Sequence, residues 1–202
     1  MTGFDFLLNF PYEVGLGEKI PAVVSALAQS KFTTVATTPT LIIYTTAAGD
    51  QIIITPVQFR FTSHRQIKIE EMKPLLECVP NVIFSILQAD DLFCNLHIVD
   101  IQKVNHTSAF DITKNSIPPM LHDIDGLVGI GYRLIFQSNT PTPMYDEFKC
   151  EPWLQNEDYL FMEGFMNFAF NRDFSITDAL DCAYTKFDKL SMEMYGKLTG
   201  GR

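Results

Sequence analysis

The longest regular pattern in the chain is an apolar stripe near its C-terminal end. Over residues 175–198 apolar side chains, among them Tyr184 and Phe187, recur at steps of three and four, which places them on one face of an α-helix. Ser175 followed three residues later by Asp178 is typical of a helix start. A stripe of this length needs a sheet or other helices to cover it.

Most of the preceding chain carries the patterns of β-strands. Apolar residues recur at every second position, or β-branched residues cluster, at residues 4–10, 32–35, 41–46, 51–62, 92–104, 128–136 and 159–170. Helical spacing appears at residues 20–30 and again at 69–88, where Pro74 and Pro80 predict a break.

This order predicts an α+β fold. It begins β-α-β-β-α-β, the order of a ferredoxin-like unit, and continues with two further strands and the long helix. We therefore expect an antiparallel sheet packed on a long amphipathic C-terminal helix, and one long curved sheet wrapped on that helix is the alternative. Residues 1–202 are expected to form a single domain. A division into a ferredoxin-like part (1–104), a polar linker (105–126) and two strands plus the helix (127–202) stays open.

Composition and charge limit the partners of the chain. Hydrophobic residues make up 47% of the sequence and charged residues only 19%, which excludes a disordered protein. The net charge of −9 disfavours nucleic acid and anionic membranes as partners. The sequence has no apolar stretch of membrane-spanning length, and the short apolar run at residues 4–8 has no basic residue before it. We expect a cytoplasmic protein.

Two short motifs suggest a bound ion or cofactor, but each has a simpler interpretation. Gly129 and Gly131 lie inside a strand pattern, where glycine more often marks a bend or a close backbone approach than a phosphate loop. His122, Asp123 and Asp125 offer three metal ligands, yet they also have the ordinary composition of a turn before a strand. We therefore expect neither a metal nor a cofactor.

Candidates for catalysis are few. Cys94 and His97 are three residues apart in a strand pattern and hence on opposite faces, where they cannot form a nucleophile–base pair. We expect His97 to be a histidine whose hydrogen bonds are satisfied in the core or on the sheet surface. Glu147 and Glu151 could serve acid–base chemistry, but they are more typical of a solvated surface. An enzyme is the less favoured interpretation.

The first functional hypothesis is a non-catalytic protein-binding module: a chaperone, adaptor or assembly subunit. Its partner would be another protein or a second copy of the chain. The sequence has 17 Phe and 8 Met residues, more large apolar side chains than one small core needs. The candidate contact residues are Tyr145, Trp153, Tyr159, Phe161 and Phe165.

The alternative hypothesis is a small-molecule binding protein. An apolar ligand would occupy a pocket between the sheet and the C-terminal helix. The residues expected to line it are Met162, Met166, Phe168, Tyr184 and Phe187. The same residues packed solidly together are the favoured interpretation, so this hypothesis ranks second.

Overall fold

The chain is described by a computed structural model for residues 3–28, 32–90, 92–105, 107–138 and 144–200. Over these residues the strands are β1 (Gly3–Asn9), β2 (Thr33–Thr38), β3 (Leu41–Thr45), β4 (Gln51–Thr55), β5 (Gln58–Ser63), β6 (Leu92–Lys103), β7 (Tyr132–Gln137), β8 (Tyr145–Pro152) and β9 (Tyr159–Phe170). They form one antiparallel sheet in the order β2-β3-β4-β5-β1-β6-β9-β8-β7.

The helices of the described residues are α1 (Ile20–Ala28), α2 (Ile69–Leu76), α3 (Ala109–Lys114) and α4 (Ile176–Thr199). A π-helical segment, Asn81–Leu87, follows α2, and short 3-10 turns occur at Gly17–Lys19 and Pro119–Leu121. In the part of the chain that the structure describes, no helix has both the length and the apolarity that crossing a membrane requires.

The two faces of the sheet differ in what covers them. On one face the alternate side chains of the central strands, such as Phe6, Leu96 and Met162, are buried. The helices pack there: α4 contacts β6, β8 and β9, and it also contacts α2 and α3. We call the opposite side the open face. Its half-buried or exposed residues include Leu7, Arg60, Ile135, Glu147, Lys149, Phe161, Glu163, Phe165, Asp5, His97 and Val99.

Helix α4 is held at both ends and in its middle. The Ser175 hydroxyl accepts a hydrogen bond from the Asp178 backbone N–H at 3.1 Å, as the start signal predicts. Gly200, with a φ of 73°, ends the helix in the left-handed conformation that glycine adopts most easily. In the middle the Phe187 ring packs on β9, where a Cβ added to Gly164 would lie only 2.7 Å from the ring. The predicted packing of a long C-terminal helix on an antiparallel sheet is confirmed.

The α+β class is also confirmed, but the ferredoxin-like start is not. After α1 the chain enters β2 and β3 at the outer edge of the sheet before it returns through β4 and β5 to the centre. The order of strands across the whole sheet therefore differs from that of the predicted unit.

The strands of the structure differ from the predicted ones in three places. The strand predicted over residues 51–62 is the hairpin β4–β5, because Pro56 lacks the N–H that a ladder needs and suits a turn. Residues 145–152 form strand β8, which is not among the predicted strands. The strand predicted from residue 128 begins at Tyr132. The last two residues of the helix predicted over 20–30 lie outside the described residues.

Candidate protein-binding face

A row of alternating charges crosses the open face. It runs over strands β5, β1, β6, β9, β8 and β7, and we call it the charge row. Its members are Arg60, Asp5, His97, Glu163, Lys149, Glu147 and Arg133.

The first half of the row is centred on His97. Arg60 Nη2 lies 3.1 Å from Asp5 Oδ1. His97 then bridges two carboxylates, with its Nδ1 3.3 Å from Asp5 Oδ2 and its Nε2 2.9 Å from Glu163 Oε1. A neutral imidazole carries only one N–H, whereas both of its nitrogens face an acceptor. The geometry therefore fits a protonated His97 that donates to both carboxylates.

The second half of the row is centred on Lys149. Its Nζ donates to Glu163 Oε2 at 2.8 Å and lies 3.2 Å from Glu147 Oε1. Arg133 closes the row through a hydrogen bond to Glu147. Each inner charge thus has an opposite charge on both sides. This pairing compensates the cost of partly burying the charges on the sheet.

Hydrogen bonds and neighbouring charges shift the pKa of Asp5 and of His97 against the effect of partial burial. Burial raises the pKa of Asp5, whereas hydrogen bonds from His97 and Thr62 and the charge of Arg60 outweigh burial and lower the pKa to about 2. Burial lowers the pKa of His97, but the hydrogen bonds to Asp5 and Glu163 raise it above the ordinary value. The side chains of Asp5 and Glu163 are only 18% and 16% exposed, so these interactions are partly shielded from water.

Aromatic side chains flank the charge row. The Phe165 ring stacks parallel to the His97 ring with 4.2 Å between their centroids, and Lys149 Nζ lies 5.3 Å from the centroid of Phe165. Further along β9, Tyr159 meets Trp153 edge to face at 5.9 Å.

The structure brings the five predicted protein-binding residues to one side of the molecule. Tyr145, Tyr159, Phe161 and Phe165 occupy open-face positions of β8 and β9, and Trp153 lies in the turn between these strands. Tyr145 is 65% exposed, and the others are half-exposed. That these residues bind a protein stays a prediction.

The predicted pocket residues lie on the helix-covered face. Met162, Met166 and Phe187 are buried, and Phe168 and Tyr184 are partly buried against them and the rest of the core. Tyr184 also lines a surface cavity of about 570 Å³ that is formed mainly by residues 66–71. A ligand pocket between sheet and helix stays a prediction.

The glycine and histidine motifs have structural roles. A Cβ at Gly129 would lie 2.6 Å from Thr113 Oγ1, and one at Gly131 would lie 2.9 Å from Glu151 Cβ, so both glycines allow a close approach as predicted. His122 Nε2 lies 3.0 Å from the Ile117 carbonyl oxygen. Among the described residues no group of three or more histidine, cysteine, aspartate or glutamate side chains could hold a metal ion.

The separation of Cys94 from His97 is confirmed. Cys94 is a buried thiol on the helix-covered face, and burial raises its pKa far above the ordinary value. His97 lies on the open face with both ring nitrogens bonded, as expected for a histidine satisfied on the sheet surface.

Sequence reasoning did not find the charge row. Its acidic and basic members come from six strands, and only Glu147 and Lys149 are close in sequence. Their alternation with Phe148 and Cys150 is a strand pattern, which could have identified β8 and its open-face charges.

No protein-family model matches the chain, and no curated protein matches it in sequence.

Proposed function

We propose that this chain is a non-catalytic protein-binding module, a chaperone, adaptor or assembly subunit, that contacts its partner through the open face. The observation that carries the proposal is a broad sheet face on which exposed Tyr145 and half-buried aromatic side chains such as Phe161 and Phe165 border a paired charge row. The opposite face already holds the helices and the core, so the open face is the broad surface left for a partner.

The two kinds of side chain would serve different purposes. Aromatic residues such as Phe161 and Tyr145 would anchor the partner, because large rigid rings contribute most binding energy at interfaces. The charge row would select the partner and its orientation, because charged groups contribute more to specificity than to raw affinity.

The geometry of His97 favours binding over catalysis. A general base needs a ring nitrogen that can reach a substrate proton. Both nitrogens of His97 are engaged by carboxylates on neighbouring strands, and Phe165 covers one face of its ring. A cytoplasmic location is part of the proposal, since Cys94 and Cys150 are buried as thiols, which persist in a reducing compartment.

The proposal is tested by single substitutions on the two sides of the molecule. Tyr145→Glu and Phe161→Glu place a charge on the open face, whereas Met192→Glu places one on the outer side of α4, where Met192 is 59% exposed. Each tagged variant would be expressed in the native host, and bound proteins would be quantified by mass spectrometry. Circular dichroism would confirm that each variant is folded.

We expect Tyr145→Glu and Phe161→Glu to lose the bound protein and Met192→Glu to keep it. Equal retention of the same protein by all three folded variants would contradict binding through the open face.

A further inference from the structure

We propose that the partner seated on the open face is a second copy of this chain, packed face to face about a two-fold axis. This inference rests on the proposed function, because it names the partner of the same face. The axis lies in the plane of the interface, perpendicular to the charge row, and passes midway between His97 and Glu163.

The order of charges in the middle of the row is self-complementary. Strands β1, β6, β9 and β8 present Asp5, His97, Glu163 and Lys149, with signs that alternate when His97 is protonated. A two-fold axis reverses this order in the second copy. Asp5 then faces the second copy's Lys149, and His97 faces the second copy's Glu163. Opposite charges therefore meet at the four positions of this central set, as an isologous interface requires. The axis also places β5 opposite β7, so Arg60 and Arg133 face each other at the edge of the interface, where their side chains are 43% and 63% exposed and water screens their repulsion.

The charge row also differs in net charge from the rest of the molecule. It contains three acids and three permanently charged bases, so it is neutral when His97 is neutral and carries one positive charge when His97 is protonated. The whole chain carries −9, which therefore lies outside the row. Two identical acidic chains repel each other less across a neutral row than across a surface that carries part of this negative charge.

Apolar side chains beside the row supply area to bury. Ile135 and Tyr145 are 61% and 65% exposed, and Leu7, Phe161 and Phe165 are half-buried. The axis brings six strands of each copy over one another, from β5 to β7. Six strands about 4.8 Å apart and about 20 Å long give a footprint on the order of 600 Å² per partner, at the lower end of specific interfaces. Face-to-face packing of two such sheets is an established arrangement of antiparallel sheets.

The first test is sedimentation equilibrium of the purified full chain over a series of micromolar concentrations. We expect a dimer whose Kd rises at least about tenfold in Ile135→Glu and in Tyr145→Glu, since both place a charge in the interface. Met192→Glu should leave the Kd unchanged. A wild-type chain that stays monomeric throughout the series would overturn the inference, as would a dimer that only Met192→Glu weakens.

The second test locates the axis without disturbing the charge row. Val99 lies opposite Glu163 on the open face and therefore close to the axis. Spin labels on Val99→Cys, in a background carrying Cys78→Ser and Cys182→Ser, should lie within roughly 20 Å of each other across the dimer, since packed sheets are about 10 Å apart. Labels on Met192→Cys should be much further apart. A short distance at position 192 and a long one at position 99 would overturn the face-to-face arrangement.

The two proposals fail separately. A monomeric chain that still retains a host protein, and loses it in Tyr145→Glu, refutes the second copy and leaves the protein-binding face intact. A monomeric chain with no such protein refutes both.

Discussion

Replacing Asp5 with asparagine tests the charge row at its most strongly bound carboxylate. The pKa of Asp5 is lowered from 3.8 to about 2 in the folded chain, where His97, Thr62 and Arg60 surround it. A depression of nearly two pH units corresponds to about 2 kcal/mol of folding stability at neutral pH. Because the folded pKa is the lower one, this stability is present above pH 3.8 and is lost as the pH falls through about 2.

The assay is urea denaturation followed by circular dichroism over a series of acidic to neutral pH values. Asp5→Asn should lower the free energy of unfolding by about 2 kcal/mol at neutral pH, and the difference from wild type should disappear near pH 2. Asp123→Asn, at an exposed loop position, is the control and should change stability by less than about 0.5 kcal/mol. A difference for Asp5→Asn that is below about 0.5 kcal/mol at neutral pH, or that does not depend on pH, would refute the reasoning.

Three further predictions concern single positions. The folded pKa of His97 is raised above 6.5, so its stabilisation should be full below pH 6.5 and lost as the pH rises through the folded pKa; His97→Gln should abolish this alkaline fall in melting temperature. Gly164→Ala should cost about 1–3 kcal/mol in urea denaturation, because its Cβ would meet a buried ring of α4. Gly196 lies within α4 and has open space around it, so Gly196→Ala should instead raise the free energy of unfolding by about 0.5–1 kcal/mol. Equal effects of the two substitutions would contradict the close packing of Phe187 on Gly164. Exposed Cys182 should be alkylated in the native state and buried Cys94 only after unfolding, as mass spectrometry of the labelled peptides would show.

The elements predicted correctly are those with long periodic patterns. The apolar stripe of α4 continues for six turns, and β9 alternates over 12 residues, so local irregularities could not hide either element. The break between α2 and the π-helical segment was also predictable, because Pro80 lies at the start of that segment and cannot donate a helical hydrogen bond. Pro74, in contrast, lies inside α2 and does not end it.

Strand β8 was missed because burial does not follow residue polarity there. Asp146 occupies a buried position, where Ser138, the Asn167 backbone N–H and Lys186 bind its carboxylate. A buried aspartate with partners so distant in sequence interrupts the apolar alternation that would have identified the strand.

The candidate site was predictable only in part. The aromatic residues of β9 could be assigned to one face because a strand alternates strictly. The charge row depends on which strands are neighbours in the sheet. Strand β1 lies between β5 and β6, which are far from it in sequence. Local patterns do not fix that order, so the pairing of Asp5 with His97 required the structure.

Native mass spectrometry of the chain, purified from its own host without denaturation, tests the central claim most directly. The account predicts a complex heavier than one 22.9 kDa chain by the mass of a protein, either a second copy or another chain. The added mass should be absent when the same preparation is made with Phe161→Glu. A bare single chain in the wild-type preparation would contradict the claim that the open face binds a protein.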